Sequence, residues 1–209
     1  MKVIVFGATG VIGKLAVERM LAEGHEVTAF ARRPEKLGAR ASEVRQIAGD
    51  AMDRAQVANA IKGHDAVVVT LGSGKSLTSR IRSQGTMNVI LGMQEHGVRR
   101  LVCQSTLGAH DSWNNLNFFW KRIMFGGILR KIFKDHELQE QLVRASGLDW
   151  TIVRPSAFDD GPATGAFKIG FGPQERGLSL KITKADIVDF LTRQLDDLRF
   201  RHRAVAISN

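Results

Sequence analysis

Three glycines near the N-terminus, Gly7, Gly10 and Gly13, have the spacing of a loop that binds phosphate. They lie between a β-rich run, Lys2–Phe6, and a stretch with helical spacing, Gly13–Glu23. Glycine permits a tight turn and close approach of the backbone to a pyrophosphate, while the start of the helix offers unpaired N–H groups and a partial positive charge. The pattern is GxxGxxG rather than GxGxxG, but it belongs to a complete strand–helix–strand unit. It therefore predicts dinucleotide binding rather than a purely structural turn.

Two arginines follow the second β-rich run, Glu26–Phe30. In dinucleotide-binding units, the residues at this strand end distinguish NAD from NADP. A site for NAD usually places Asp or Glu about 20 residues past the glycine loop, to accept hydrogen bonds from the ribose 2′-hydroxyl. Here the residues are Ala31, Arg32 and Arg33, and a guanidinium suits a 2′-phosphate. The sequence therefore predicts NADP(H) rather than NAD(H), with ordinary surface arginines as the alternative.

Two later strand ends add candidate cofactor contacts. Asp50 follows the third run, Val44–Ala48, and is placed to accept from the adenine amine, although capping of a helix at residues 54–62 explains it nearly as well. The backbone after the fourth run must pass close to the cofactor, and it consists of Leu71, Gly72 and Ser73.

The elements that position these residues alternate between strand and helix along the whole chain. The strand candidates are Lys2–Phe6, Glu26–Phe30, Val44–Ala48, Ala66–Leu71, Leu101–Gln104, Trp150–Val153 and Ala204–Ile207. The helical stretches are Gly13–Glu23 and roughly 54–62, 80–96, 131–146 and 184–195. This alternation predicts an α/β fold: a Rossmann-type doubly wound parallel sheet in a single domain, with ligands beyond the carboxyl ends of the strands.

Two segments interrupt the alternation, at Gly108–Arg130 and Ala157–Gly177. The first is rich in aromatic residues and the second is rich in glycine. Loops this long in a compact domain are more often lids or binding walls than simple connectors. We therefore expect both segments to lie on the substrate side of one domain that spans residues 1–209.

The composition argues against several other classes of protein. A chain of 209 residues is enough for one domain, no apolar run approaches the about 20 residues of a membrane span, and the start lacks the zones of a secretory signal, so a cytoplasmic location is expected. A single cysteine, Cys103, and six widely spaced histidines predict no metal site. The net charge of +9 indicates solvated basic faces and an anionic ligand rather than nucleic acid, because no DNA- or RNA-binding module is present.

With these residues placed, the chain resembles the atypical short-chain dehydrogenase/reductase proteins, in particular the NAD(P)H-binding group that includes biliverdin reductase B (flavin reductase) and the NmrA-like proteins. The matching stretches are GATGVIG at 7–13, FARRPEK at 30–36, GDAMD at 49–53, QSTLGA at 104–109, DHELQEQLVRASGLDWTIVRP at 135–155 and DGPATG at 160–165. The resemblance implies cofactor contacts at Gly7, Thr9, Gly10, Val11, Ile12, Arg32, Arg33, Asp50, Leu71, Gly72 and Ser105. To these we add two residues at strand ends, Ser73 and Pro155.

One departure from the superfamily limits the chemistry. Its typical dehydrogenases use a Tyr-x-x-x-Lys pair, in which the phenol donates or removes the substrate proton, and this chain contains no tyrosine. Interconversion of alcohol and ketone by that route is therefore excluded. Reduction of a flavin or another conjugated acceptor stays possible, because hydride passes directly from the nicotinamide and water supplies a proton.

Candidate catalytic residues follow the fifth strand and begin the next helix. Ser105 is expected to hydrogen-bond the carboxamide or the acceptor, and Thr106 to contact the substrate, unless the Ser105 hydroxyl only caps the strand end. His136 is a candidate proton relay, although a lone histidine in a first helical turn is more often structural. No metal ligand is expected.

Aromatic residues supply the candidate substrate contacts. Phe158 follows the sixth strand and offers a flat face for a ring, with core packing as the alternative. Trp113 begins an aromatic and basic stretch that runs to Phe133, and this stretch is suited to close over a planar anionic acceptor or to lie on a membrane surface. Its place between the fifth strand and the next helix favours the lid.

These inferences converge on an NADPH-dependent reductase that transfers hydride to a flavin-like or other conjugated small molecule. The alternative is a non-catalytic NADP(H) sensor of the NmrA-like type, in which cofactor occupancy controls binding to another protein. We expect a planar small-molecule acceptor as partner, no nucleic acid, no transmembrane segment, and a monomer or weak homodimer.

Overall fold

A computed structural model of the protein describes residues 1–74 and 76–209, apart from the side chains of residues 39 and 40. The described residues form ten strands: β1 (Lys2–Phe6), β2 (Glu26–Ala31), β3 (Arg45–Ala48), β4 (Ala66–Val69), β5 (Arg100–Gln104), β6 (Asp149–Pro155), β7 (Ala157–Asp159), β8 (Lys168–Ile169), β9 (Lys181–Thr183) and β10 (Arg203–Ser208). The α-helices are α1 (Val11–Ala22), α2 (Arg54–Ile61), α3 (Ile81–Glu95), α4 (Arg130–Ala145) and α5 (Lys184–Arg193). Short 3-10 helices lie at Pro34–Leu37, Ala39–Glu43, His110–Asn115 and Leu198–Phe200, and a π-helix lies at Phe119–Ile128.

Eight of the strands form one sheet in the order β3-β2-β1-β4-β5-β6-β10-β8. Every neighbouring pair in it is parallel except β10 with β8. Strand order reverses between β1 and β4, so the carboxyl ends of these two strands flank a crevice. The predicted doubly wound parallel sheet is thus confirmed, with short β8 added at one edge and β7 paired with β9 outside it.

Both faces of the sheet are covered, as the apolar sequence of its strands requires. In β1, Val3 and Val5 point into a core formed with α1 and α5, whereas Ile4 and Phe6 point into a second core formed with α2, α3 and α4. A strand covered on both faces reads as a continuous apolar run, because each successive side chain enters one core or the other.

A third apolar cluster lies outside these two layers and fixes the first long segment. It contains Leu107, Leu116, Phe125 and Leu180 together with Phe133 of α4. The segment 108–130 is not the long loop that the sequence predicts, since most of it is 3-10 or π-helical. Buried Phe125 stacks on Phe133 with ring centroids 4.5 Å apart, and this contact holds the segment in place.

The end of β6 also differs from the expected strand Trp150–Val153. Arg154 and Pro155 continue the strand, because both pair in register with β10. Only Ser156 therefore separates the end of β6 from β7, which begins at Ala157.

Candidate functional site

A cavity of about 550 Å³ opens at the carboxyl ends of β1, β2, β4 and β5. It spans the crevice where the strand order reverses, which is where a doubly wound sheet binds its ligand. Its lining includes most of the residues selected from the sequence: Gly7, Thr9, Gly10, Val11, Ile12, Arg32, Asp50, Leu71, Gly72, Ser73, Ser105, Thr106, His136 and Phe158.

The glycine loop closes one end of this cavity. Gly7 has φ +89°, and a Cβ there would lie 2.6 Å from the Thr70 carbonyl oxygen, so only glycine fits. A Cβ on Gly13 would collide with the Gly7 carbonyl, so the third glycine lets α1 pack against the end of β1. Gly10 is the N-cap of α1, and the first-turn residues Val11 and Ile12 line the cavity. The start of α1 therefore presents backbone N–H groups and the positive end of the helix dipole to a bound anion.

The two arginines after β2 take different positions. Arg32 lines the cavity next to Ala31. Arg33 is exposed, is the N-cap of the 3-10 helix Pro34–Leu37, and lies outside the cavity lining. One of the pair is thus placed beside the ligand space, a distinction that the sequence does not make.

Among the described residues, Asp50 is the one acidic side chain in the lining of the cavity. Its Oδ1 accepts from the backbone N–H of Met52 at 3.0 Å. The alternative that Asp50 caps α2 is wrong: the N-cap is Asp53, whose Oδ1 accepts from the Gln56 N–H at 3.0 Å.

At the other end of the cavity, beside β5, lie the candidate catalytic residues. The Ser105 side chain is 2% exposed, and its Oγ has no hydrogen-bond partner in the part of the chain that the structure describes. Thr106 Oγ1 donates to the Leu107 carbonyl at 3.3 Å. The Ser105 hydroxyl therefore does not cap the strand end and stays available to a ligand.

His136 lies on α4 and faces the same end of the cavity. Its Nδ1 is buried, and the ring forms a side-chain hydrogen bond with Gln139 that favours the charged form. Burial, reinforced by the positive charge of Arg82, lowers the pKa of His136 to about 3. The imidazole is therefore neutral at physiological pH, available as a hydrogen-bond donor or acceptor but not as a cation.

Arg82, in the first turn of α3, is a cavity residue that the sequence reasoning missed. Its Nη1 donates to Ser73 Oγ at 3.2 Å, and burial lowers the pKa of the guanidinium, which stays charged. Asp135 of α4 accepts from the backbone N–H groups of Arg82 and Ser83, each at 3.1 Å, and so fixes the start of α3 beside His136. A basic residue at the start of the helix that follows β4 could have indicated a cavity residue. The sequence, however, does not show which side of the helix that residue faces.

A second cavity of about 170 Å³ adjoins the first and shares Thr106, His136 and Phe158 with it. Its other walls are almost entirely apolar: Leu107, Leu116, Trp120, Phe125, Leu129, Ile132, Ser156, Ala157 and Leu180. Ser156 Oγ is buried there and has no hydrogen-bond partner within the described residues. The two cavities are thus neighbours, the first lined partly by polar residues and the glycine loop, the second almost entirely by apolar side chains.

Besides Arg33, two residues selected from the sequence lie outside both linings. Trp113 packs against Phe133 with ring centroids 5.3 Å apart, so it supports the wall of the second cavity from behind. Pro155 is buried in β6, where its carbonyl accepts from the Leu107 N–H at 2.8 Å. Phe158 is 46% exposed and lines both cavities, which excludes the alternative of core packing.

A buried ion pair holds the wall of this space together. The Arg154 guanidinium donates to both carboxylate oxygens of Glu140 on α4, at 2.9 and 2.7 Å, and to Asp111 at 2.8 Å. Although burial opposes ionisation, the Arg154 contact lowers the pKa of Asp111. Arg154 is thus a structural residue that joins β6, α4 and the start of the 108–130 segment.

Cys103 is buried in β5, and burial raises the pKa of its thiol. No group of three His, Cys, Asp or Glu side chains placed to hold a metal ion occurs in the described ranges. No helix among them is both long and apolar enough to cross a bilayer.

Fold and cavity together define a Rossmann-type protein with a fold like that of the atypical short-chain dehydrogenase/reductases, and its cavity lies at the reversal of strand order. The profile of the family described as NAD(P)H-binding matches residues 7–198, and the chain belongs to that family.

Three known proteins are similar to this chain over three quarters of its length or more. It is 28% identical to an uncharacterised sugar epimerase, YhfK, of Bacillus subtilis, over 98% of this chain and 92% of that protein. It is 31% identical to (4-alkanoyl-5-oxo-2,5-dihydrofuran-3-yl)methyl phosphate reductase of Streptomyces griseus, over 75% of this chain and 48% of that protein. The fold matches the solved structure of ChuY, an anaerobilin reductase of Escherichia coli O157:H7, with a TM-score of 0.83, 24% identity, and coverage of 99% and 96% of the two chains.

Proposed function

We propose that this protein is an NADPH-dependent reductase that transfers hydride to a planar, conjugated small molecule of the flavin or tetrapyrrole kind. The observation that carries the proposal is the junction of the two cavities. The glycine loop lines one end of the first cavity, and at the opposite end Thr106, His136 and Phe158 also line the adjoining apolar cavity. A cofactor in the first cavity thus has room for an acceptor ring beside it.

The chain's own groups fit a nicotinamide dinucleotide. The start of α1 is open toward the cavity, and the buried Ser105 hydroxyl lacks a protein partner among the described residues. When bound, NADPH supplies the hydride. Ser105 is then placed to hydrogen-bond the carboxamide or the acceptor, and Phe158 to cover the acceptor ring.

The preference for NADP(H) rests on Arg32. Its side chain lines the cavity at the end of β2, where an NAD site carries a carboxylate, and Ala31 precedes it. A guanidinium there binds a 2′-phosphate by charge-assisted hydrogen bonds, and no acidic side chain at that position repels the phosphate.

The proton chemistry favours a conjugated acceptor over a simple ketone. The chain has no tyrosine, and His136 is neutral because burial lowers its pKa to about 3. Neither a phenol paired with lysine nor an imidazolium is therefore available to protonate an alkoxide. An acceptor that spreads the added charge over a ring system needs no such donor, and water completes the protonation.

Steady-state assays with NADPH and FMN, FAD, quinones and biliverdin test the proposal by the loss of NADPH absorbance. We expect turnover of at least one acceptor. Filling the second cavity by Leu129→Trp is expected to raise KM for that acceptor, and the matched change Phe119→Trp on the exposed side of the same segment is not. Ser105→Ala is expected to lower kcat/KM by about tenfold, because the variant loses one hydrogen bond to the cofactor or the acceptor.

The outcomes separate catalysis from regulation. Equal rates with and without protein for every acceptor would reject the reductase. If NADP(H) nevertheless bound tightly and a partner protein were recovered only in its presence, the NmrA-like sensor would be the better assignment.

A further inference from the structure

The π-helix Phe119–Ile128 has two sides with different roles. Its inner side contributes Trp120 and Phe125 to the second cavity. Its outer side exposes large apolar side chains, namely Phe118 at 74%, Phe119 at 52%, Ile123 at 45% and Ile128 at 60% of their surface. Four exposed side chains of this size within eleven residues form a patch, whereas single exposed apolar residues are normal on any protein.

The spacing of these residues places them on one side of the helix. Phe118, Ile123 and Ile128 are five residues apart in the sequence. Residues i and i+5 are hydrogen-bonded in a π-helix and lie about one turn apart, so these three side chains point to a similar side. Phe119 lies next to Phe118, and exposed Gly126 and Gly127 add no side chain that would cover the patch. The outer side is therefore an apolar strip that the fold does not bury.

Basic residues lie within and beside the strip in the sequence. Residues 112–134 include Lys121, Arg122, Arg130, Lys131 and Lys134 and no acidic residue. The acids that flank the range are engaged elsewhere, Asp111 with Arg154 and Asp135 with the start of α3. The strip thus combines exposed phenylalanine and isoleucine with a local positive charge that no acid of the segment neutralises.

We propose that this strip, Phe118–Lys131, binds the surface of an anionic lipid bilayer. Aromatic and aliphatic side chains enter the boundary between headgroups and acyl chains, while arginine and lysine contact lipid phosphates. A peripheral contact of this kind needs no membrane-spanning helix. It is independent of the reductase reaction proposed above.

Charge complementarity selects the bilayer over the other occupants of an apolar face. A second copy of the chain would bring two sets of four cations together, and like charges across an interface oppose association. A nucleic acid would use the cations but leave the exposed aliphatic side chains Ile123 and Ile128 in water. An anionic bilayer satisfies both components of the strip.

Vesicle co-sedimentation with the full chain tests the proposal, using phosphatidylcholine vesicles with and without phosphatidylglycerol. We expect retention only on the phosphatidylglycerol vesicles, weakening as salt is added. Arg122→Glu is expected to lower the partition coefficient by at least about tenfold, since each charge near such a surface contributes about fivefold. The matched reversal Lys62→Glu, at the end of α2, leaves the partition coefficient near that of the wild type.

A second pair of variants tests the apolar component. Phe118→Ser with Phe119→Ser is expected to lower retention by at least about tenfold, whereas Met52→Ser, at an exposed apolar residue outside the strip, is not. These side chains lie outside the cavity linings, so thermal stabilisation by NADP⁺ serves as the check that each variant is folded.

Three results would overturn the proposal. One is equal absence of retention on both kinds of vesicle. Another is a concentration-dependent dimer in light scattering that the double phenylalanine variant abolishes, with no vesicle binding, because the strip would then join two copies of the chain. The third is retention on DNA alone, weakened by Arg122→Glu and unchanged by the phenylalanine variant.

Discussion

At the residue scale, unpaired polar atoms mark the end of the cavity beside β5. Ser105 Oγ and Ser156 Oγ are buried without a hydrogen-bond partner among the described residues. An unsatisfied buried group costs about 1–3 kcal/mol, so such atoms are rare unless a ligand or water completes them. Their grouping along the two joined cavities indicates where a bound molecule contributes its own donors and acceptors.

The same burial makes His136 a pH-sensitive element of stability. Its pKa is about 3 in the folded protein against an ordinary value of 6.5. Between these values the unfolded chain binds a proton that the folded chain does not, so the free energy of unfolding falls as the pH falls from 6.5 toward 3, by up to about 1.4 kcal/mol per pH unit. Chemical denaturation of wild type and His136→Gln over this range is expected to show a smaller fall in the variant.

The titration of the ring provides the direct check. Nuclear magnetic resonance of the folded protein should show His136 neutral down to a pH near 3. A midpoint near 6.5, or identical pH dependence of unfolding in both proteins, would contradict the burial of the ring.

Single residues also show where sequence reasoning stops. Gly7 and Gly13 were identified correctly as glycines that the loop requires, because their spacing reports a backbone constraint. The separation of Arg32 from Arg33 was not predictable, since neighbouring side chains after a strand differ only in direction. Arg82 was missed for the same reason.

At the element scale, one buried ion pair joins three parts of the wall. Arg154 of β6 and Glu140 of α4 are each 1% exposed, and Arg154 also holds Asp111 at the start of the 108–130 segment. Removal of one partner leaves a buried charge, which costs far more than loss of a surface pair.

Arg154→Met is therefore expected to lower the free energy of unfolding by about 3–5 kcal/mol, because Glu140 loses its bidentate partner. Replacing both residues, as Arg154→Met with Glu140→Leu, should recover most of this loss. The matched control is Arg99→Met: Arg99 forms an exposed pair with Asp149, and its loss should cost at most about 1 kcal/mol. Urea denaturation measures all three, and equal effects of the two arginine substitutions would contradict this account.

Elements differed in how well the sequence predicted them. The seven parallel strands of the main sheet were placed within one or two residues, and all of them except the exposed edge strand β3 are largely buried apolar runs. Strands β7, β8 and β9, of two or three residues, carry no periodicity and were missed. The helical character of 119–128 was also missed, since exposed and buried apolar residues alternate there without a polar face that marks a helix.

At the scale of the whole molecule, the cavity draws on both halves of the doubly wound sheet. Its lining comes from the ends of β1, β2, β4 and β5 and from α3 and α4. These surfaces are brought together only in the folded chain, so a cofactor that binds there stabilises the entire domain rather than one element.

NADP⁺ is therefore expected to shift a single thermal transition upward. At about one hundred times Kd the stabilisation is about 2.7 kcal/mol, which corresponds to about 5–10 °C for a domain of this size. Arg32→Ala should remove most of the shift with NADP⁺ and leave that with NAD⁺ unchanged, because the lost contact is to the 2′-phosphate. Arg33→Ala is the matched control, since that side chain lies outside the cavity lining, and it should retain the wild-type shift.

Equal losses in the two variants would mean that both guanidinium groups reach the phosphate. Two thermal transitions, of which only one shifts with NADP⁺, would mean that the domain does not unfold as a unit. No shift with either dinucleotide would remove the basis for the cofactor site, because the stabilisation follows from binding to the folded state alone.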